Sequence, residues 1–531
     1  MREQLEQEAR ARFGWTELRP GQLAAMTAVM EGRDTLAVMP TGAGKSAIFQ
    51  VTAPLLGGLT VVVSPLISLQ HDQVAHLDGA AARELNSTIS GTERVEIFAA
   101  LDDGRIDFLF LAPEQLTKPD VLDRLAAAQP TLFVVDEAHC VTSWGHDFRP
   151  DYLRLGDAVE ALGHPVTVAL TATAAQPVRE EIVERLRLRD PLVVVAGFDR
   201  PNLHLAVLPA SDIDVRRELV LRQATENSGC GIVYTATRRE TEEYAAALTD
   251  RGRRAAAYHA GLRKAQRGAT HDAFQAGDLD VVVATTAFGM GIDKPDIRFV
   301  VHAALADSLD SYYQEIGRAG RDGEEAKAVL VHGSGDLGLR RFQTASPPDV
   351  ELVERVLTTI RRSERALLRS EIAERTELSR PLVGRCCSLL EQVRAVRFGK
   401  RNRLHPVGDS PTAADDAVAL AETRQRVEQS RLDMMREYAE TSGCRRQFLL
   451  AYFGEQLAGP CGHCDTCEAG LPDTGATDSP YRVNDRVRHE EFGPGAVLRF
   501  EDGKIVVRFD AVGYRTLSLA TVEEKGLLTP Q

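Results

Sequence analysis

Apolar runs are short throughout this 531-residue chain, and none nears the roughly 20 residues that cross a bilayer. Membrane spanning by a helix is therefore not expected. The opening MREQLEQEAR is charged and carries no signal-peptide core, so a cytoplasmic protein is the expectation. A basic surplus is lacking too: 63 Lys and Arg face 77 Asp and Glu, a net charge of −14. That argues against a protein that wraps nucleic acid over its whole surface, though a groove needs only local positive charge. Aromatics make up 6% of the chain, with two tryptophans, so a loop that gathers several of them stands out. Cysteines number eight, and four of them crowd into one short stretch, which favours a metal over disulfides.

The length is too great for one core and predicts about three to five domains. From residue 60, short β-branched runs recur: LTVVVSPL, IDFLFLAPEQ, TLFVVDEAH, PVTVALTATA and PLVVVAGF. Each is apolar on both faces and helical patterns separate them, as in a covered parallel sheet. A second series, GIVYTAT, DVVVATT, IRFVVHAA and AKAVLVHG, follows Gly229. Two successive α/β units are predicted, over 1–205 and 206–345. Residues 346–410 turn helical and end in a candidate hairpin, AVRFGKRNRLHP. Over 351–410 there are 13 Lys and Arg against 8 Asp and Glu. Residues 408–417, GDSPTAADDA, read as a linker, and a long amphipathic helix follows within 411–472. GLPDTGATDSP reads as a second linker before a β-rich tail, 480–531, where Asp502-Gly503 suits a hairpin turn.

LAVMPTGAGKS (36–46) is a strand, a glycine loop and a helix start. Thr41, Gly42 and Gly44 belong to a loop that aims backbone N–H groups at phosphate. Lys45 would neutralise the β- and γ-phosphates of ATP, and the Ser46 hydroxyl would ligate Mg²⁺. At the tip of TLFVVDEAH, Asp136 is expected on the metal side and Glu137 as general base. QEIGRAGRDG (314–323), with Gln314, offers Arg318 and Arg321 from the second unit to offset charge growing on the γ-phosphate.

Taken together these segments resemble superfamily 2 helicases, and within them the RecQ family. FGWTELRPGQ is similar to the family's adenine-reading motif, which implies Trp15 on the base with Arg19 and Gln22 at its polar edge. MPTGAGKS, SPLISLQHDQV, DEAH, ALTATA, GIVYTATRRETEEYA, VVVATTAFGMGIDKPDIRFVVH and SYYQEIGRAGRDG resemble the remaining motifs in order over about residues 10–335. The resemblance implies two tandem RecA-like lobes and a DNA contact at Ser64. CVTSWGHDFRPDY resembles the aromatic-rich loop that distinguishes the family. Trp144, Phe148 and Arg149 would stack bases there and report DNA occupancy to Glu137, with His146 and Asp147 holding the loop.

Cys444, Cys461, Cys464 and Cys467, the last three spaced C-x2-C-x2-C, suit a closed tetrahedral Zn²⁺ site and resemble the RecQ zinc subdomain. A redox C-x-x-C would leave the other thiols unexplained. The sequence departs from the family between Arg321 and Cys444. The helices and hairpin there look like a winged helix in an unusual place, while the stretch after Cys467 is too short for the usual one. The tail resembles the Tudor- or SH3-like barrel of UvrD-type helicases, which implies a protein partner. The function expected is ATP-dependent 3′-to-5′ translocation on single-stranded DNA and unwinding of partly duplex DNA in repair and recombination, by a cytoplasmic, nucleoid-associated enzyme. An RNA helicase and an ATP-switched DNA clamp that separates no strands are the alternatives.

Overall fold

The computed structural model describes residues 1–75, 77, 81–142, 150–289, 294–333, 346–399, 403–470, 479–483, 485–501 and 503–530. They form two compact units. One comprises residues 1–337, 434–484 and 498–503; the other comprises 338–433, 485–497 and 504–531.

The first unit contains both predicted parallel sheets. Strands β1 (Thr35–Val38), β2 (Thr60–Val63), β3 (Ala82–Leu85), β4 (Phe108–Leu111), β5 (Leu132–Val135), β6 (Val166–Thr171) and β7 (Leu192–Val195) lie in the order β3-β4-β2-β5-β6-β1-β7. Every pairing is parallel. β1, β2, β4 and β5 are buried along their whole length, which is why they read as unbroken apolar runs. β7 departs from that expectation. It is the edge strand, and Val193 and Val195 are 44% and 40% exposed.

The second sheet has β8 (Leu203–Ala210), β9 (Cys230–Tyr234), β10 (Ala255–Tyr258), β11 (Val281–Ala284), β12 (Ile297–His302) and β13 (Ala326–Gly333), ordered β10-β11-β9-β12-β13-β8 and again all parallel. These are two RecA-like lobes. Residues 196–202 connect them.

Still within this unit, the segment 434–470 packs on the second lobe. Cys464 forms an isolated parallel bridge with Leu205 on the edge strand β8, and the Asp465 carboxylate accepts the Val207 N–H at 2.8 Å. Tyr438 and Tyr312 are buried together, ring centroids 5.2 Å apart.

In the second unit, helices Val350–Arg361, Arg369–Thr376 and Arg380–Gln392 bury Val356, Ile360, Leu367, Val383 and Leu390 in one core. The predicted hairpin forms: β14 (Val396–Phe398) pairs antiparallel with β15 (Leu404–Pro406). Part of the expected 408–417 linker is instead helical, because the long helix runs Ala413–Glu440. Thr412 accepts the Asp416 N–H through its carbonyl and donates its hydroxyl to the Asp416 carboxylate. Asp415 and Asp416 suit the positive end of the helix dipole, and Ala413, Ala414 and Ala417 are small enough to be buried in the neighbouring core.

The tail is a five-stranded antiparallel sheet of β16 (Arg486–His489), β17 (Gly493–Glu501), β18 (Lys504–Phe509), β19 (Gly513–Ser518) and β20 (Leu528–Pro530), ordered β19-β18-β17-β16-β20. Alternation fails in β18, where Ile505 through Phe509 are all buried. No helix among the described residues is long and apolar enough to cross a membrane.

Candidate functional sites

Three adjacent strands of the first lobe, β1, β6 and β5, end side by side, and each delivers part of one site. The loop after β1 holds Thr41, Gly42, Gly44, Lys45 and Ser46. Gly42 and Gly44 have φ of 81° and 76°, a conformation that side chains with a Cβ rarely adopt. A Cβ on Gly44 would also meet the Gln22 amide at 2.5 Å. Gln22 is buried and donates to the Ala43 and Gly44 carbonyls at 3.1 and 3.0 Å, while accepting the Arg19 N–H at 2.9 Å. Arg19 reaches the Gly42 carbonyl at 3.4 Å. Trp15 stacks on Phe13 at 4.5 Å and packs on the lobe's core. The motif expected to meet an adenine thus rests on the glycine loop itself. Ser46 occupies the N-cap of helix Ala47–Leu56.

The Lys45 ammonium donates to the Met39 carbonyl at 3.2 Å. Burial pushes its pKa down, while Glu137 and Asp136 push it up and Arg321 pushes it down again. Asp136, at the end of β5, is 6% exposed. Burial raises its pKa, opposed by Lys45, by the Glu137 N–H at 3.0 Å and by the Gln73 amide at 3.4 Å. Next to it, Glu137 sits at φ 49°, ψ 47°, a left-handed conformation that costs a glutamate roughly 1 kcal/mol or more. Such strain persists only where the surroundings over-determine it.

A chain of polar contacts leads away from Glu137. The buried His139 Nδ1 lies 3.3 Å from Glu137 Oε2 and 2.9 Å from the Thr171 hydroxyl. Thr171 donates to the Thr173 carbonyl at 3.0 Å, so its oxygen is left to accept from His139. The Thr173 hydroxyl in turn accepts the Gln314 amide of the second lobe at 3.3 Å. Of these, only Gln314 is among the expected site residues; His139, Thr171 and Thr173 lie within DEAH and ALTATA, where the acids and the apolar strand pattern dominate the signal.

The second lobe's arginines part company. The Arg321 stem lies against Gly42, where a Cβ would meet its Cγ at 3.2 Å. Arg318 is buried beside Tyr234, whose pKa burial raises and Arg318 lowers. Arg200 and Asn202 hold the turn between them. Arg200 donates to the carbonyls of Gly317, Ala319 and Gly320 at 3.3, 2.9 and 3.0 Å, and Asn202 to Gly320 at 2.8 Å. Neither residue falls in a recognisable motif. Between the lobes lies a cleft of ≈ 610 Å³, lined among others by Arg19, Gln22, Thr41, Arg200 and Arg321. Its size suits a nucleotide, and the glycine loop and Arg321 that line it lead on to Lys45, on which Asp136, Glu137 and Arg321 all act, a set that suits a triphosphate with a divalent cation.

Ser64, placed at the end of β2, is fully buried, and its hydroxyl has no hydrogen-bond partner among the described residues. Trp144, His146, Asp147, Phe148 and Arg149 lie outside the described residues.

The four cysteine sulfurs lie within 4.8 Å of one another. Cys461 and Cys467 sulfurs are 4.0 Å apart, close to the separation about one tetrahedral ion with Zn–S bonds of ~2.3 Å. Backbone N–H groups of Gln447 and Cys461 point at the Cys444 sulfur, and that of His463 at Cys461, as thiolate ligands require. The Cys444 thiol donates to the Cys464 sulfur and so lowers the pKa of Cys464. The set fits a structural zinc ion. His463 is not among the clustered ligand atoms and packs its ring on His204.

Glycine loop, acidic strand end and paired parallel lobes define the helicase class. Residues 19–181 match the DEAD/DEAH box helicase family and 213–323 the helicase conserved C-terminal domain. Residues 409–468 match the RecQ zinc-binding domain. The chain is 35% identical over 464 residues to the probable ATP-dependent DNA helicase RecS of Bacillus subtilis, covering 86% of this chain and 89% of that protein. It is likewise 35% identical over 458 residues to the ATP-dependent DNA helicase RecQ of Pasteurella multocida, covering 86% of this chain and 61% of that one. The chain belongs to the RecQ family of ATP-dependent DNA helicases. It spans 61 to 65% of the RecQ relatives from P. multocida, Haemophilus influenzae and B. subtilis. Among solved structures, Mycobacterium smegmatis helicase Lhr bound to single-stranded DNA and AMP-PNP is similar in fold, with TM-score 0.52, 21% identity and coverage of 79% of this chain and 61% of that one.

Proposed function

We propose that this chain couples ATP hydrolysis to 3′-to-5′ movement along single-stranded DNA and to separation of partly duplex DNA. The observation that supports it best is Arg321 of one lobe lying against the glycine loop of the other across a nucleotide-sized cleft. In this reading Thr41, Gly42 and Gly44 cradle the phosphates, Lys45 pairs with them, and Trp15, Arg19 and Gln22 select adenine. Ser46 and Asp136 would hold Mg²⁺, which supplies charge neutralisation at the phosphates. Glu137 orients the attacking water and takes its proton. Arg321 meets the charge on the γ-phosphate, while Arg318 serves from its buried place beside Tyr234. Glu137 is tied through His139, Thr171 and Thr173 to Gln314, so closure of the lobes and the state of the base move together.

DNA would lie across both lobes, with Trp144, Phe148 and Arg149 stacking bases while His146 and Asp147 hold that loop; the buried Ser64 is not given a contact with it. Zinc on Cys444, Cys461, Cys464 and Cys467 is structural. The three helices and hairpin of 346–410 are proposed to be a winged helix. The tail is proposed to be a Tudor- or SH3-like barrel with a protein partner. A cytoplasmic, nucleoid-associated location and a part in repair and recombination go with a DNA substrate. The test is DNA-stimulated ATP hydrolysis by the full chain, with RNA as the comparison. Stimulation by DNA alone supports the reading; equal stimulation by RNA overturns it.

A further inference from the structure

The connector between the lobes is gripped from outside both of them. After Gly197, the Phe198 ring stacks on Phe453 of the cysteine-bearing segment, centroids 4.5 Å apart and planes 15° off parallel. The Phe198 N–H donates to the Glu455 carboxylate at 2.5 Å, and its carbonyl accepts the Tyr313 hydroxyl at 2.7 Å. Asp199 takes a two-pronged pair from Arg446, one prong at 2.6 Å. Both backbone groups of Phe198 and the Asp199 carboxylate are therefore engaged. Its next residues, Arg200 and Asn202, hold the carbonyls of the turn that carries Arg321. Arg446 and Phe453 lie on or just after helix Arg445–Tyr452, whose N-cap is Cys444.

A free connector would let the lobes take many relative positions, most of them with Arg321 away from the glycine loop. A connector fixed by an aromatic stack, a charge-assisted hydrogen bond and a bidentate ion pair permits few. We infer that Arg446, Phe453 and Glu455 are positioning residues for ATP hydrolysis: they clamp the hinge and so set where Arg321 stands when the cleft closes. This rests on the proposed function, and it assigns the cysteine-bearing segment a task in nucleotide turnover.

The experiment uses the full chain with Glu455→Gln, Arg446→Ala, Arg446→Lys and the double variant Asp199→Asn with Arg446→Ala. It measures kcat and KM for ATP with and without single-stranded DNA, zinc content, and the thermal unfolding midpoint. Losing one charge-assisted bond at the hinge should lower kcat about tenfold in Glu455→Gln and Arg446→Ala. KM, zinc content and the unfolding midpoint should stay near wild type. Arg446→Lys should recover part of the loss, and the double variant should be no slower than Arg446→Ala. Folded, zinc-loaded Glu455→Gln and Arg446→Ala proteins with wild-type kcat would overturn the inference, as would losses that track only zinc or unfolding. A wild-type chain without DNA stimulation overturns the functional reading instead, and basal hydrolysis still reads out the hinge.

Discussion

Lys45 stands at the meeting point of the site's charges, with Asp136, Glu137 and Arg321 all acting on it. Replacing it by alanine removes the group that faces the phosphates, and ATP hydrolysis should fall to background. Glu137→Gln keeps the shape and removes the base, so kcat should drop roughly 10²- to 10⁴-fold with nucleotide binding retained. A radiolabelled turnover assay beside equilibrium binding separates the two effects. The pH profile follows from Asp136. Burial raises its pKa, so the proton leaves at a higher pH than from an ordinary carboxylate. The acid limb of Mg²⁺-dependent hydrolysis should therefore lie above the usual carboxylate range. It should shift to lower pH as Mg²⁺ is increased, because metal and proton compete for one carboxylate. A limb that ignores Mg²⁺ would show that another group titrates.

Among elements, the stretch after β6 is linked to the second lobe by the hydrogen bond between Thr173 and Gln314. Thr173→Val should lower DNA-stimulated hydrolysis about tenfold while leaving DNA-free hydrolysis within about twofold, which initial rates with and without DNA will show. The sulfur cluster should hold one zinc ion per chain by metal analysis, and chelation should unfold the 434–470 segment first, since structural zinc sites contribute folding free energy directly. Strands rich in valine and leucine were legible because burial on both faces leaves a continuous apolar signature. β10 was not, because AAAY is as good a helix sequence as a strand one, and neither was β3, whose AREL has no β-branched residue. The 408–417 stretch misled because Ser, Pro and Asp serve linkers and helix starts alike. In the site, charged and glycine positions announced themselves. Arg200, Asn202 and Thr173 did not, because their work is to bind backbone carbonyls or a neighbour's amide far away in sequence.

For the molecule as a motor, the two lobes matter only if Arg321 and the glycine loop form one site. Arg321→Ala should cost on the order of 10³-fold in hydrolysis. The most direct test is ATP-driven separation of a duplex bearing a 3′ single-stranded tail, comparing wild type with Lys45→Ala. The account predicts strand separation by wild type with ATP, none by Lys45→Ala, and none on a duplex tailed only at its 5′ end. Vigorous DNA-stimulated ATP hydrolysis without any strand separation would contradict it and leave an ATP-switched clamp in its place.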